Sequence, residues 1–257
     1  MTVLGCGTST GVPVLGCDCA VCRSTHPRDN RLRASIYVEV PGRAHVLVDT
    51  TPDFRQQALR ARIPRIDAVL FTHGHADHVL GLDDVRRFNV IQGGAIPCYA
   101  SGKTWDTLRK TFYYVFADAQ DGRWIPKLEP HDIDDAFDVN GVRVVPVPLL
   151  HGTMPVFGFR FGSFAYLTDC SVIPETSWPL VAGVDTLVID ALRDKPHNTH
   201  FTVEQALTAI ERIAPRQAYL THMTHDLGYE ATSARLPGHV DLAYDGLVID
   251  VDVDAWT

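Results

Sequence analysis

Four side chains of the kind that ligate cations fall within six positions: His73, His75, Asp77 and His78, in the run His73-Gly74-His75-Ala76-Asp77-His78. The run follows directly on Ile66–Phe71, a continuous apolar stretch that reads as a buried strand. Alternate residues of an extended turn point the same way, so His73 and His75 can share one cation. Asp77 and His78 point elsewhere and can reach a second. Imidazoles and carboxylates of this kind suit zinc, manganese or iron.

Three further donors stand at the ends of other apolar runs. His151 follows Val144–Leu150, Asp169 follows Phe164–Leu167 after Thr168, and His222 follows Ala218–Leu220 after Thr221. Singly, a histidine or aspartate at a strand end often serves a turn or cap. Together the three complete a dinuclear set. One cation takes His73, His75 and His151; the other takes Asp77, His78 and His222; Asp169 bridges. Two such cations about 3.5–4 Å apart share a water and lower its pKa towards neutrality.

The six cysteines are unevenly placed. Cys17, Cys19 and Cys22 lie within six residues, a spacing that favours a metal over disulfides in a reducing compartment. Cys6, Cys98 and Cys170 read as small apolar fillers. Before the cluster runs a Gly-rich loop, Gly5–Pro13, which tight turns explain as often as phosphate binding does.

The order His-x-His-x-Asp-His, then His151, Asp169 and His222, resembles the signature of the metallo-β-lactamase superfamily, and the resemblance extends from Gly5 to His222. It implies an α/β fold, the αββα sandwich: two mixed β-sheets with helices on the outer faces and the site at one edge. Gly5–Pro13 with Gly16–Cys22 resembles, more narrowly, the phosphoribosyl 1,2-cyclic phosphate phosphodiesterases of phosphonate degradation. In that family the cysteine cluster binds a structural zinc, and its fourth ligand is a histidine three residues after the last active-site histidine. Carried over, the set is Cys17, Cys19, Cys22 and His225. The family also implies His200 as general acid or donor to a phosphoryl oxygen, with His197 near enough to compete.

The resemblance therefore implies a metal-dependent phosphodiesterase with two divalent ions, zinc or manganese, in the active site and one structural zinc. A bridging hydroxide would attack phosphorus in a small cyclic phosphodiester, with phosphoribosyl 1,2-cyclic phosphate as the expected substrate. His200 would protonate the departing sugar oxygen, and Asp77 would be catalytically essential. Relatives on the same fold leave alternatives: a tRNA 3′-processing type of endoribonuclease, a non-catalytic metal-binding module of cofactor biosynthesis, or an iron-dependent dioxygenase or thioester hydrolase. Many members of the superfamily are dimers, so a homodimer is the expected assembly.

The elements that must position these residues alternate strand and helix. Ser35–Val40 and Ala44–Asp49 read as a hairpin about Pro41-Gly42. Thr51-Pro52 opens a helix through Arg60, with Thr51 as N-cap. Gly81–Phe88 and Gly102–Tyr114 read as helices. Gly141–Pro148, Val156–Phe161, Phe164–Leu167, Thr186–Ile189 and Gln217–Leu220 read as strands. Trp124–Val139 is a connector holding a strand or two, and Val203–Ile213 is an amphipathic helix capped by Thr202. Asp241–Tyr244 and Leu247–Val251 form a hairpin turning at Asp245-Gly246. Asp49 and Asp190, at strand ends, are placed to accept spare imidazole N–H groups.

The 257 residues suit one domain, 1–257, with a structural zinc loop near 17–22. Lys plus Arg number 23 against 31 Asp plus Glu, a net charge of −8 that disfavours nucleic acid beyond small nucleotides. A small phosphorylated substrate remains compatible, because cations reverse the local field. No apolar run approaches the roughly 18–20 residues of a membrane span, and no basic-then-apolar leader opens the chain, so a cytoplasmic location is expected.

Overall fold

The computed structural model describes residues 1–117 and 124–256. Their strands form two mixed sheets. The first runs in the order β1 (Thr2–Gly5), β2 (Ser35–Val40), β3 (Ala44–Val48), β4 (Ala68–Leu70), β5 (Ile96–Ala100) and β6 (Leu128–Asp132). From β3 onward its neighbours are parallel. The second contains β7 (Phe137–Val139), β8 (Val142–His151), β9 (Met154–Phe161), β10 (Phe164–Leu167), β11 (Thr186–Asp190), β12 (Gln217–Thr221) and β13 (Val240–Leu242), again in chain order. It is antiparallel up to β10 and parallel beyond.

Side-chain alternation along the first sheet sets the layers. Ile36, Val38, Val46, Val48, Ala68 and Leu70 share one core with Val147, Phe159, Phe161 and Tyr166 of the second sheet. The intervening Tyr37, Leu47, Val69 and Phe71 join Phe54, Phe88 and Trp105 of the helices α1 (Phe54–Ala61), α3 (Arg86–Gln92) and α4 (Gly102–Thr111) on the outer face. Each fully buried aliphatic side chain contributes roughly 1.5–3 kcal/mol. Between α1 and α3 lies the short α2 (Ala76–Val79). The second sheet is followed by α5 (Trp178–Val181), α6 (Val203–Ile213) and α7 (Tyr229–Ser233). Helix α6 starts with a capping box: Thr202 Oγ1 accepts from the Gln205 N–H, and Gln205 Oε1 accepts from the Thr202 N–H. Among the described residues no helix is long and apolar enough to cross a membrane.

Three expectations are corrected. Helix α1 begins at Phe54, not after Thr51, because Thr51 is buried and donates to Gln57 Oε1 at 2.9 Å while accepting from the Asp53 N–H. The expected helix at Gly81–Phe88 divides into a 3₁₀ turn, Leu82–Val85, and α3. The terminal hairpin does not form. Instead β13 pairs parallel with β12, and the following segment crosses to the other sheet, where Gly246 and Leu247 bond to Val3 and Ile249 to Met1. Asp245 explains the change: its carboxylate accepts from the main-chain N–H of Leu32 at 2.8 Å and of Cys6 at 3.1 Å and pairs with Arg60. The connector Trp124–Val139 resolves into β6 and β7.

Candidate active site

The site is built at the carboxyl ends of parallel strands from both sheets, the place where such sheets leave room for a ligand. Register Val48↔Leu70 sets Asp49 beside Thr72, and register Leu167↔Ile189↔Leu220 sets Asp169, Asp190 and His222 side by side. The two sheets are joined here by the Phe157 N–H donating to the Thr72 carbonyl at 3.0 Å. Asp49, Asp169 and His222 all adopt left-handed backbone, with φ of 64°, 52° and 60°. Such conformations cost non-glycine residues on the order of 1–3 kcal/mol each, and they cluster where function requires a side chain to be aimed.

His73, His75 and His151 offer donor atoms within 4.8 Å of one another, and so do Asp77, His78, Asp169 and His222. Asp169 reaches both groups: its Oδ1 lies 3.4 Å from His222 Nε2 and 3.9 Å from His73 Nε2, and its Oδ2 lies 3.2 Å from His78 Nε2. Asp77 Oδ2 stands 3.3 Å from His78 Nε2 and 3.6 Å from His222 Nε2. Asp77 and His78 sit on α2, a helical turn where the sequence suggests extended chain. His75 is exposed and marks the mouth of the site.

Whether cations fit is decided by the nitrogens left over. Nε2 of His73, His78 and His222 is buried and has no hydrogen-bond partner. Three such orphans in one cluster would each cost about 1–3 kcal/mol. The opposite nitrogens are oriented: His78 Nδ1 faces Asp49 Oδ2 at 2.7 Å, His73 Nδ1 faces Thr72 Oγ1 at 3.0 Å, and His151 Nδ1 donates to the Thr199 carbonyl at 2.8 Å. His222 Nδ1 lies 3.5 Å from Asp190 Oδ1, within ion-pair range but without a hydrogen bond. Inward-facing bare nitrogens, outward-facing anchored ones and two shared carboxylates are a donor set that divalent cations would complete.

The electrostatics agree. Burial disfavours charge on His78, but Asp169, Asp77 and Asp49 outweigh it and raise its pKa well above the ordinary imidazole value. Burial and the neighbouring His78 push His73 well below it. Burial would raise Asp169, yet His222 and His78 hold it well below the usual carboxylate range. The carboxylates thus demand positive charge at the centre of the cluster.

His200 is buried beside the cluster, with Nδ1 3.2–3.3 Å from the Asp190 carboxylate. Asp190 also accepts from the Phe201 N–H at 3.0 Å. Donor atoms of His200, His151 and Asp169 again lie within 4.8 Å of one another. His200 is therefore in reach of whatever occupies the site, while Asp190 anchors its far nitrogen. His197 is exposed, and its Nδ1 faces Thr199.

At the second cluster the Sγ atoms of Cys17, Cys19 and Cys22 lie 3.2, 3.4 and 3.3 Å from one atom, His225 Nδ1. That nitrogen has one lone pair and cannot satisfy three thiols. Sulfur and nitrogen ligands on one tetrahedral zinc stand about 3.5 Å apart, given bond lengths of about 2.3 and 2.0–2.1 Å. The Gly-rich loop ties this cluster to the first. Gly7 bridges Arg33 and Met223, and a Cβ on Gly7 would lie 2.8 Å from the Arg31 carbonyl oxygen, so the loop is one of close packing. The Met223 N–H donates to Cys6, one residue beyond His222.

Several contributors carry no clear mark in the sequence. Thr72 reaches both Asp49 and His73, the Thr199 carbonyl orients His151, and buried Arg31 holds the main chain at Thr224 and Leu227. Thr72, adjacent to His73, is the one with a signal to follow. Arg193 turns its guanidinium to the carbonyls of Lys195 and Pro196. Among the remaining histidines, His45 pairs with Tyr37 and His131 with Glu129.

Residues 44–223 match the family model described as the β-lactamase superfamily domain. The crystal structure of a diphosphatase from the PhnP family superposes with a TM-score of 0.91 and 48% identity, covering 98% of this chain and 97% of that one. An octanoyltransferase of Porphyromonas gingivalis is 38% identical over 253 residues, 97% of this chain but 51% of that protein, so the chain spans about half its length. Coenzyme PQQ synthesis protein B of Methylobacterium nodulans is 37% identical over 224 residues, 73% of this chain and 71% of that protein.

Proposed function

We propose that this chain, which belongs to the metallo-β-lactamase superfamily in its PhnP branch and is a metal-dependent hydrolase, cleaves small cyclic phosphodiesters, with phosphoribosyl 1,2-cyclic phosphate as its substrate. The observation that carries the reading is the ring of buried, unpartnered imidazole nitrogens around Asp169 in a chain 48% identical to a diphosphatase of the PhnP family. His73, His75 and His151 would hold one divalent cation, and Asp77, His78 and His222 the other, with Asp169 shared. When bound, the pair supplies Lewis acidity: it acidifies a water and neutralises phosphoryl oxygens.

The chain's own residues then have distinct tasks. Asp49, Thr72 and the Thr199 carbonyl fix the imidazole orientations. His200, anchored through Nδ1 by Asp190, delivers a proton to the departing sugar oxygen. Cys17, Cys19, Cys22 and His225 would hold a structural zinc that keeps the loop after His222 in place. The acidic net charge counts against long nucleic acids as substrates.

A second reading, cleavage of a diphosphate bridge, is favoured by one observation: the 48%-identical structure is that of a diphosphatase. A panel of cyclic phosphodiesters, linear phosphodiesters, dinucleoside diphosphates and precursor tRNA, run on protein loaded with zinc or with manganese, tests both. Fastest turnover is expected for the five-membered cyclic esters. Preference for diphosphates would establish the second reading, and turnover of none of them would overturn both.

A further inference from the structure

Beside the mouth of the site, against the loop that carries His73 and His75, lies a cavity of about 70 Å³. One wall is the loop His73-Gly74-His75, and the other is the first turns of α4, with Ser101, Lys103 and Thr107. The two walls are in contact: a Cβ on Gly74 would stand 3.0 Å from Thr107 Oγ1. Lys103 and Thr107 are four residues apart, so they share the face of α4 turned to this loop. His73 itself lines the cavity, while its Nε2 faces Asp169 Oδ1 at 3.9 Å, so the cavity adjoins the cluster.

The lining contains no carboxylate, although acidic residues outnumber basic ones across the chain. Among the described residues Lys103 has no ion-pair partner. A cation without a counter-ion, flanked by hydroxyls and next to a phosphoryl-hydrolysing centre, is suited to a second anionic group of the substrate.

We propose that Lys103 is a specificity-determining residue: it receives a phosphomonoester carried by the substrate at a distance from the bond that is cut. This rests on the phosphodiesterase reading above, whose substrate carries such a group on its ribose, and it assigns the residue that reads it.

The test compares adenosine 2′,3′-cyclic phosphate with the same compound bearing a 5′-phosphate. Wild type should prefer the 5′-phosphorylated ester. The ratio of the two kcat/KM values should fall about 10- to 100-fold in Lys103→Ala, the loss expected for one charge-assisted contact, and Lys103→Arg should restore most of it. An unchanged ratio in Lys103→Ala overturns the assignment. Calorimetric binding of ribose 5-phosphate to the metal-loaded protein reads the pocket independently of turnover. Affinity about tenfold weaker in Lys103→Ala supports the assignment, and equal affinity contradicts it, even if wild type cleaves neither ester and the phosphodiesterase reading fails.

Discussion

Asp49 Oδ2 lies 2.7 Å from Nδ1 of His78, and both side chains are fully buried. The contact turns the other nitrogen of His78 towards Asp77 and Asp169. Asp49→Asn keeps the shape but weakens the acceptor and can present an N–H in its place. Metal affinity is expected to fall about 10- to 100-fold. Competition with a graded chelator measures it, and affinity equal to wild type would show that Asp49 does not tune the cluster.

His200→Ala should lower turnover of esters with a poor alkoxide leaving group by about 10²–10⁴-fold. Esters of p-nitrophenol, whose leaving group needs no proton, should lose far less. The number of bound metals should not change. Equal losses on both substrate types would assign His200 a positioning role.

His225→Ala should remove one metal per chain, because His225 Nδ1 is the point on which three thiols converge. It should also lower Tm, at about 2–4 °C for each kcal/mol lost in a chain of this size. Elemental analysis and calorimetry read the two effects. Unchanged metal content would show that the cysteine cluster holds no ion.

The metal-stripped cluster carries a pH signature. The main-chain N–H of Cys22 points at Cys19 Sγ and, with Cys17, Cys22 and His225 nearby, lowers the Cys19 thiol to about 6. Burial and Cys19 itself push Cys22 up to about 11. Only the thiolate reacts. Alkylation of stripped protein by iodoacetamide should therefore rise through pH 6, label Cys19 first, and fade below that pH. A single inflection at the ordinary value of about 8.5 would contradict the arrangement.

The donor set is legible in the sequence because its residue types are rare together and each stands where an apolar run stops. Asp49 and Asp190 are legible for the same reason. The Thr199 carbonyl is not, since a main-chain acceptor leaves no trace in residue type. Helix α2 spans only Ala76–Val79, too short for helical periodicity to register. The Asp245-Gly246 pair carries a strong turn signal, yet buried hydrogen bonds from Asp245 to Leu32 and Cys6 override it. Lys103 is an ordinary surface lysine until the fold sets α4 against the His73–His75 loop.

The most direct measurement is a metal titration of stripped protein, with turnover of a cyclic phosphodiester followed at each step. The arrangement of His73, His75, His151, Asp77, His78, His222 and Asp169 predicts that, once the cysteine cluster is filled, activity grows until two further equivalents are bound. It also predicts that Asp77→Ala abolishes that growth. Full activity in stripped protein, or none at full occupancy, would contradict it.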